Sequence, residues 1–290
     1  MRMNRFLILG AALVVVGAGC DFAQIAPPGA APVRYRDQIF TSVVKTADIT
    51  YGTATNLENT SVTLTMDEYQ PPLTDTFTSR PAIIWVHGGS FTSGDKTSAE
   101  LVDESNTFSE EGYVNFSINY RLEPGGCAAA SVTASCITAI REATQDAQTA
   151  VSFVRTHAAT YGVDPTRIAI GGSSAGAITA LQVGYATSET PASGVRAAVS
   201  LSGANILSTI SVGDPPALLF HGTADPLVPY QWAVNTVNAA QALHLTASLE
   251  TWPGAGHVPY VQFRTQILTQ TSNFLWWEMD LTHAAHPTNT

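Results

Sequence analysis

The stretch Ile168–Leu181, IAIGGSSAGAITAL, decides how this chain folds. Its centre, Gly172–Gly176 (GSSAG), fits the G-x-S-x-G pattern, in which a serine occupies a sharp turn between a strand and a helix. The apolar run Arg167–Ile170 before it predicts a buried strand, and the Ala-rich run Ala177–Ala186 after it predicts a helix. The glycines are expected because a side chain there would collide with the neighbouring elements. The stretch therefore predicts an exposed serine, Ser174, at the tip of a strand–turn–helix.

Composition limits the class of protein. The chain has 290 residues, of which 45% are hydrophobic and 12% are charged, and this suits one sizeable globular domain with a core. The formal net charge of −10 argues against partners such as nucleic acid or an anionic membrane surface. The sequence has no H-E-x-x-H and no paired C-x-x-C, so we predict neither a metal site nor a cofactor.

The N-terminus predicts export. Arg2 and Arg5 precede an apolar run, Phe6–Val16, that is too short to span a bilayer, and small residues and Cys20 follow. Residues 1–19 resemble a bacterial lipoprotein signal, in which Cys20 would carry the lipid; cleavage by an ordinary signal peptidase is the alternative. We therefore expect an envelope-anchored or secreted protein, touching membrane only through such an anchor.

The mature chain divides into three predicted parts. Residues 20–40, which include AQIAPPGAAP, predict a flexible tether. Residues 41–280 form the predicted domain, and residues 281–290 form a polar tail. Two cysteines within the domain, Cys127 and Cys136, are predicted to pair because an oxidising compartment permits the bond; two separate buried thiols are the alternative.

Strands and helices alternate along most of the domain. This order predicts a mostly parallel sheet of about eight strands with helices on both faces, in which ligands bind beyond the carboxyl ends of the strands. Two alternating segments, Val43–Tyr51 and Ser61–Tyr69, come first and predict antiparallel edge strands. The strands that follow are predicted at residues 82–86, 113–120, 167–170, 197–201, 217–220 and 245–251, and the helices at 99–111, 140–161, 177–186, 230–243 and 261–279.

A nucleophilic serine needs a base and an acid that orients the base. Asp225 follows the strand at 217–220, and His257 follows the last strand in a glycine-containing loop. Asp214 precedes its strand and so lies at the wrong end. We predict Ser174 as nucleophile, His257 as base and Asp225 as acid. Capping of the next helix by Asp225 is the structural alternative.

The oxyanion of such a reaction needs backbone N–H donors. Ala175, which follows the serine at a helix N-terminus, is one candidate. The others are Gly89 and Ser90, in the small-residue loop after the strand at 82–86.

These strings together resemble the α/β-hydrolase superfamily, most closely bacterial carboxylesterases of the hormone-sensitive-lipase and type B kinds. The strings are HGGSF at 87–91, GGSSAGA at 171–177, HGTADPLVP at 221–229 and GAGH at 254–257. The resemblance implies an α/β-hydrolase fold, a Ser-His-Asp triad of Ser174, His257 and Asp225, and oxyanion donors at Gly89, Ser90 and Ala175. The loop departs from the family's HGGG, and Ser173 stands where Asp or Glu is common.

The resemblance implies hydrolysis of carboxylic esters through an acyl-enzyme. No large cap is evident, so we expect an open site for short-acyl esters or for acetyl and feruloyl esters on polysaccharide. Phe91, Tyr120 and Leu227 are candidate pocket walls, with core packing as the alternative for each. A prolyl-oligopeptidase-type peptidase and a non-catalytic binding protein on the same fold are the competing functions.

Overall fold

A computed structural model describes residues 32–186 and 194–282. The predicted leader, Cys20 and the first part of the tether lie outside these residues. Eight strands form one sheet: β1 (Val44–Thr55), β2 (Ser61–Gln70), β3 (Arg80–Val86), β4 (Val114–Ile118), β5 (Val163–Ser173), β6 (Ala197–Leu201), β7 (Ala217–Gly222) and β8 (Ala247–Trp252). The helices are α1 (Ala99–Glu111), α2 (Ala134–Thr156), α3 (Ala158–Tyr161), α4 (Ala175–Gly184), α5 (Tyr230–Ala242) and α6 (Tyr260–Glu278). None of these helices combines the length and apolar character needed to cross a bilayer.

The strand order places the loops that follow the strands at one edge of the sheet. The order is β1-β2-β4-β3-β5-β6-β7-β8. β1 and β2 pair antiparallel at one side, and β2 also pairs antiparallel with β4. Every later pairing is parallel, so the carboxyl ends of β3 to β8 meet at one edge. The predicted mostly parallel sheet of eight strands is confirmed.

The sheet is buried on both faces, as a parallel sheet must be. Alternate residues of β3 point to opposite sides: Ile84 and Val86 join one apolar cluster, and Ile83 and Trp85 join the other. Helices α2, α4 and α5 cover the first face, and α1 and α6 cover the second. This packing fixes the height of each strand end and so the position of the loops.

Helix α2 begins at Ala134, six residues before the predicted start at Ile140. The Thr133 side chain caps the helix by accepting a hydrogen bond from the Cys136 N–H at 3.2 Å. The first turn has little apolar periodicity, which is why the pattern alone missed it. The cap and the disulfide at Cys136 hold this turn instead.

The prediction of a flexible tether at residues 20–40 is wrong for the last of these residues. Tyr35 is fully buried and its N–H donates to the Glu111 carbonyl at 2.8 Å, while its ring packs edge-on against Tyr113. Burial of an aromatic ring stabilises this segment on α1. At the other end, Leu281 is also buried, although it was predicted in the polar tail; residues 283–290 lie outside the described ranges.

Candidate active site

Ser174 lies at the sharp turn between β5 and α4. Its φ of 52° and ψ of −117° are unusual for a non-glycine residue, and its N–H donates to the Leu201 carbonyl at 2.9 Å. A Cβ at Gly172 would lie 2.3 Å from the Val86 carbonyl oxygen, and one at Gly176 only 1.9 Å from it. The two glycines therefore let the turn pack against β3, and the packing holds the serine in its strained conformation.

The structure brings the three predicted triad side chains into one hydrogen-bonded chain. The Oγ of Ser174 lies 2.7 Å from Nε2 of His257, and Nδ1 of His257 lies 2.7 Å from Oδ2 of Asp225. An ionised carboxylate only accepts hydrogen bonds, so Nδ1 carries the ring proton and Nε2 is free to accept from the serine hydroxyl. The three residues follow β5, β7 and β8, whose carboxyl ends meet at the same edge of the sheet.

Four donors surround the Asp225 carboxylate. Oδ2 accepts from His257 and also lies 3.1 Å from Nε2 of His221. Oδ1 accepts from the backbone N–H groups of Leu227 at 2.8 Å and Val228 at 3.0 Å. Burial favours the neutral acid, but the hydrogen bonds from the two histidines and the two N–H groups outweigh it and hold the pKa of Asp225 well below its usual range. Asp225 is therefore a fixed negative charge behind the His257 ring.

His221 is a functional neighbour that the sequence did not reveal. Its Nε2 lies 2.9 Å from the Val228 carbonyl, and the same N–H also faces Asp225. Nδ1 of His221 is buried and has no hydrogen-bond partner among the described residues. This pattern fits the neutral ring with its proton on Nε2. The string HGTAD, in which the histidine precedes the acid by four residues, was the sequence signal that could have predicted this contact.

The acid and base loops are packed against each other. The Ala224 N–H donates to the Ala255 carbonyl at 2.9 Å, and a Cβ at Gly222 would lie 2.3 Å from that carbonyl oxygen. Ser202, which follows β6 with a φ of 58°, accepts the Val258 N–H at 3.0 Å through its Oγ. Ser202 thus anchors the residue after His257, a role that a lone serine at a strand end does not predict.

The loop after β3 is held by its own backbone. Gly89 has a φ of 120°, and its carbonyl accepts the Ser93 N–H at 3.1 Å. Ser90 and Phe91 also have positive φ values, 55° and 64°, a strain of about 1–3 kcal/mol each. The Ser90 carbonyl accepts the Cys127 N–H at 2.9 Å, and Cys127 is joined to Cys136 by a disulfide bond. A covalently closed loop therefore supports the strained segment beside the nucleophile.

A small cleft of about 40 Å³ opens beside Ser174. Ser90 and Ala175, two predicted oxyanion donors, line it, and so do the predicted pocket residues Phe91 and Leu227. Gly89 forms the turn behind Ser90 rather than the wall of this cleft. The other lining residues are Cys127, Ala128, Ala129, Ile178 and Val228.

Tyr120 is not a wall of this cleft, contrary to the sequence-based prediction. It is buried behind the loop, where its ring stacks on His87 with centroids 4.4 Å apart. Its hydroxyl donates to the His87 carbonyl at 3.1 Å. The core packing alternative holds because the buried hydroxyl needs that acceptor. Burial also lowers the pKa of His87, which fits a neutral structural ring.

Two family models and several solved structures match this chain. The BD-FAE family model matches residues 66–206, and the TAP-like protein family model matches residues 188–275. Among solved structures, esterase 2 of Thermogutta terrifontis phosphorylated by paraoxon matches with 24% identity and a TM-score of 0.65, covering 79% of this chain and 92% of that one. The propionate-bound form of the same thermophilic esterase matches with 24% identity and a TM-score of 0.62, covering 83% and 96%.

The sheet and the strand-end loops have the fold of the α/β-hydrolase superfamily, and the two family models together match residues 66–275 of this chain. Within that superfamily its likeness is to bacterial carboxylic ester hydrolases.

Proposed function

We propose that this protein is a serine carboxylester hydrolase that acts on short-acyl esters or on acetyl and feruloyl esters borne by polysaccharide. One observation carries the proposal: Ser174, His257 and Asp225 form an unbroken hydrogen-bonded chain, with both links at 2.7 Å, at the mouth of a cleft. A serine hydroxyl is a weak nucleophile until an adjacent base takes its proton, and this arrangement supplies the base and fixes its tautomer.

The acylation half-reaction follows from the geometry. Oγ of Ser174 attacks the ester carbonyl carbon while its proton passes to Nε2 of His257. The fixed charge of Asp225 stabilises the imidazolium that forms. The carbonyl oxygen, now negative, accepts hydrogen bonds from the N–H groups of Ala175 and Ser90, and the first of these gains from the N-terminus of α4. Collapse of the tetrahedral intermediate breaks the ester C–O bond, and His257 returns the proton to the departing alcohol.

Deacylation repeats these steps with water. His257 takes a proton from a water molecule, whose oxygen attacks the acyl carbon of the Ser174 ester. A second tetrahedral intermediate uses the same N–H donors. Its collapse releases the carboxylic acid, and Ser174 regains its proton from His257.

The dimensions of the site support short acyl groups. The cleft of about 40 Å³ exceeds what one water molecule needs and suits a group the size of a methyl or ethyl. Residues 202–216, between β6 and β7, contain neither helix nor strand, so this segment builds no helical lid. A groove of about 300 Å³ that includes Val132, Ile206 and Trp232 offers space for a larger substrate part, such as a sugar or an aromatic acyl group.

The test is hydrolysis of p-nitrophenyl acetate, butyrate and decanoate by the wild-type protein and by Ser174→Ala. We expect fast turnover of the short esters, a fall with chain length, and loss of about 10⁶-fold in kcat in the variant. Wild-type rates no higher than those of the variant on every ester would refute the proposal. Cleavage of a proline-containing peptide would then favour the peptidase hypothesis, and no cleavage the binding hypothesis.

A further inference from the structure

A second cavity lies beside the base loop, on the opposite face of the sheet from the cleft at Ser174. It measures about 650 Å³ and lies between the first turn of α1 and the start of α6. Tyr260, which lines it, belongs to the apolar cluster on the second face, and Val258, which also lines it, packs against that cluster. The cleft belongs to the first face, because its lining residue Ile178 is part of the other cluster. The hydrogen-bonded pair of Ser174 and His257 joins the two spaces, since Ser174 lines the cleft and His257 is followed directly by Val258.

An ester extends from its carbonyl carbon in two directions, and the chemistry assigns one direction to each space. The carbonyl oxygen faces the N–H groups of Ala175 and Ser90, and both residues line the small cleft, so the acyl group lies there. His257 returns its proton to the alcohol oxygen, which must therefore lie within hydrogen-bond reach of Nε2. The alcohol part then extends along the base loop, where the cavity begins at Val258.

The cavity offers both apolar surface and hydrogen-bond acceptors. Val258 and Val261 supply apolar surface, and Val261 is 92% exposed, which leaves its side chain open to a ligand. The carboxyl groups of Glu100 and Asp103 also line the cavity, and Oε1 of Glu100 is buried without a hydrogen-bond partner among the described residues. Carboxyl oxygens accept hydrogen bonds from hydroxyl groups, and a site built to bind hydroxyl groups rejects a ligand that lacks them.

Hydrogen bonds between α1 and α6 hold the cavity open. The Tyr260 hydroxyl donates to Oδ2 of Asp103 at 2.7 Å, and Nη2 of Arg264 donates to Oδ1 of the same carboxylate at 2.9 Å. The Ser202 hydroxyl fixes the third wall by accepting the Val258 N–H at 3.0 Å. The cavity is therefore preformed, and a ligand has few side chains to order on binding. The ion pair of Asp103 with Arg264 balances the charge on this wall and favours an uncharged ligand.

We propose that this cavity is the subsite for the alcohol part of the ester, and that this alcohol is an uncharged, hydroxyl-rich group such as a sugar. The proposal rests on the proposed function, because it concerns the same reaction. The volume of about 650 Å³ lies in the range of roughly 300–1,000 Å³ that is usual for sites holding whole small molecules. The cleft of about 40 Å³ holds only a short acyl group. The alcohol therefore supplies most of the contacts that select the substrate.

The experiment compares three acetyl esters that share the acyl group and differ in the alcohol: those of methyl glucoside and methyl xyloside, and ethyl acetate. Titration of the released acid gives kcat/KM for each ester. We expect wild type to hydrolyse the sugar esters about tenfold more efficiently than ethyl acetate. Ala99 is exposed and lines the cavity, so Ala99→Trp fills it and should remove most of that preference. Because the preference is a ratio measured on the same molecules, a loss of folded protein does not change it.

Two further variants make the result decisive. Ala242→Trp adds the same ring at an exposed alanine at the end of α5, where the chain approaches the start of β8 at the opposite edge of the sheet, and should keep the wild-type ratio. Glu100→Leu removes the carboxyl oxygens and should raise KM for the sugar esters more than KM for ethyl acetate. Hydrolysis with the wild-type ratio in both Ala99→Trp and Glu100→Leu would overturn the role of the cavity alone. If wild type hydrolyses none of the three esters, the proposed function is wrong and the role of the cavity falls with it.

Discussion

The two sides of the nucleophile are held by different kinds of bond. On one side, the strained loop at Ser90 and Phe91 is supported by backbone hydrogen bonds from Cys127 and Glu123, at 2.9 and 2.8 Å, and by the disulfide behind them. On the other side, the acid and base loops converge on the single carboxylate of Asp225, which accepts from two histidines and two backbone N–H groups.

This difference predicts how each side fails. The backbone hydrogen bonds of the first side do not depend on any one side chain. A substitution there should therefore change stability and activity little, and so should a change of pH. The second side concentrates its hydrogen bonds on one ionised carboxylate, Asp225. Replacing that carboxylate should therefore disrupt the site, and its hydrogen bonds should weaken when it is protonated. The largest effect is expected at the carboxylate of Asp225.

Asp225→Asn should lower kcat by about 10⁴-fold, because an amide that donates to Nδ1 would favour the wrong His257 tautomer. KM should change little, since the cleft wall stays intact. Steady-state kinetics on p-nitrophenyl acetate would measure both constants. Asp214→Asn, an acid at the opposite end of β7, is the matched control and should keep wild-type kcat. A kcat within tenfold of wild type for Asp225→Asn would remove Asp225 from the triad.

His221→Phe should lower kcat by about tenfold and the free energy of unfolding by about 2 kcal/mol, because Asp225 loses one charge-assisted hydrogen bond. The folded-state pKa of Asp225 is lowered, so the stabilisation is complete above its ordinary value near 3.8 and is lost only as pH falls through the much lower folded-state pKa. Urea unfolding should therefore separate variant from wild type at pH 7, and the difference should persist at pH 3, where the folded-state carboxylate is still ionised. No difference at pH 7 would show that the His221 hydrogen bond contributes nothing to stability. The exposed His157→Phe is the control.

Replacement of both disulfide cysteines, Cys127→Ser with Cys136→Ser, should have the smallest effect on catalysis. Closing this short loop stabilises by about 2–3 kcal/mol, so the free energy of unfolding should fall by that amount. We expect kcat/KM to fall only a few-fold, because the backbone bonds to Ser90 and Phe91 remain. Treatment of wild type with dithiothreitol should reproduce both changes. A loss above a hundredfold would mean that the disulfide, rather than the backbone, holds the loop.

Much of the fold was predictable because it rests on local patterns. The apolar run that became β3 and the glycines around Ser174 specify their own conformation, and the structure shows why: a Cβ at Gly172 or Gly176 would strike Val86. The start of α2 was missed because a side-chain cap and a disulfide begin it, and neither has apolar periodicity.

The class of fold and the candidate triad follow from the amino-acid pattern, since strand-end position and chain order can be read from it. Which groups surround that triad depends on how distant segments pack. His221 shares Asp225 with His257, and Tyr120 turns away from the cleft. The contacts to His257 and Tyr120 join segments far apart in the chain, and they depend on how the strand-end loops pack rather than on local spacing.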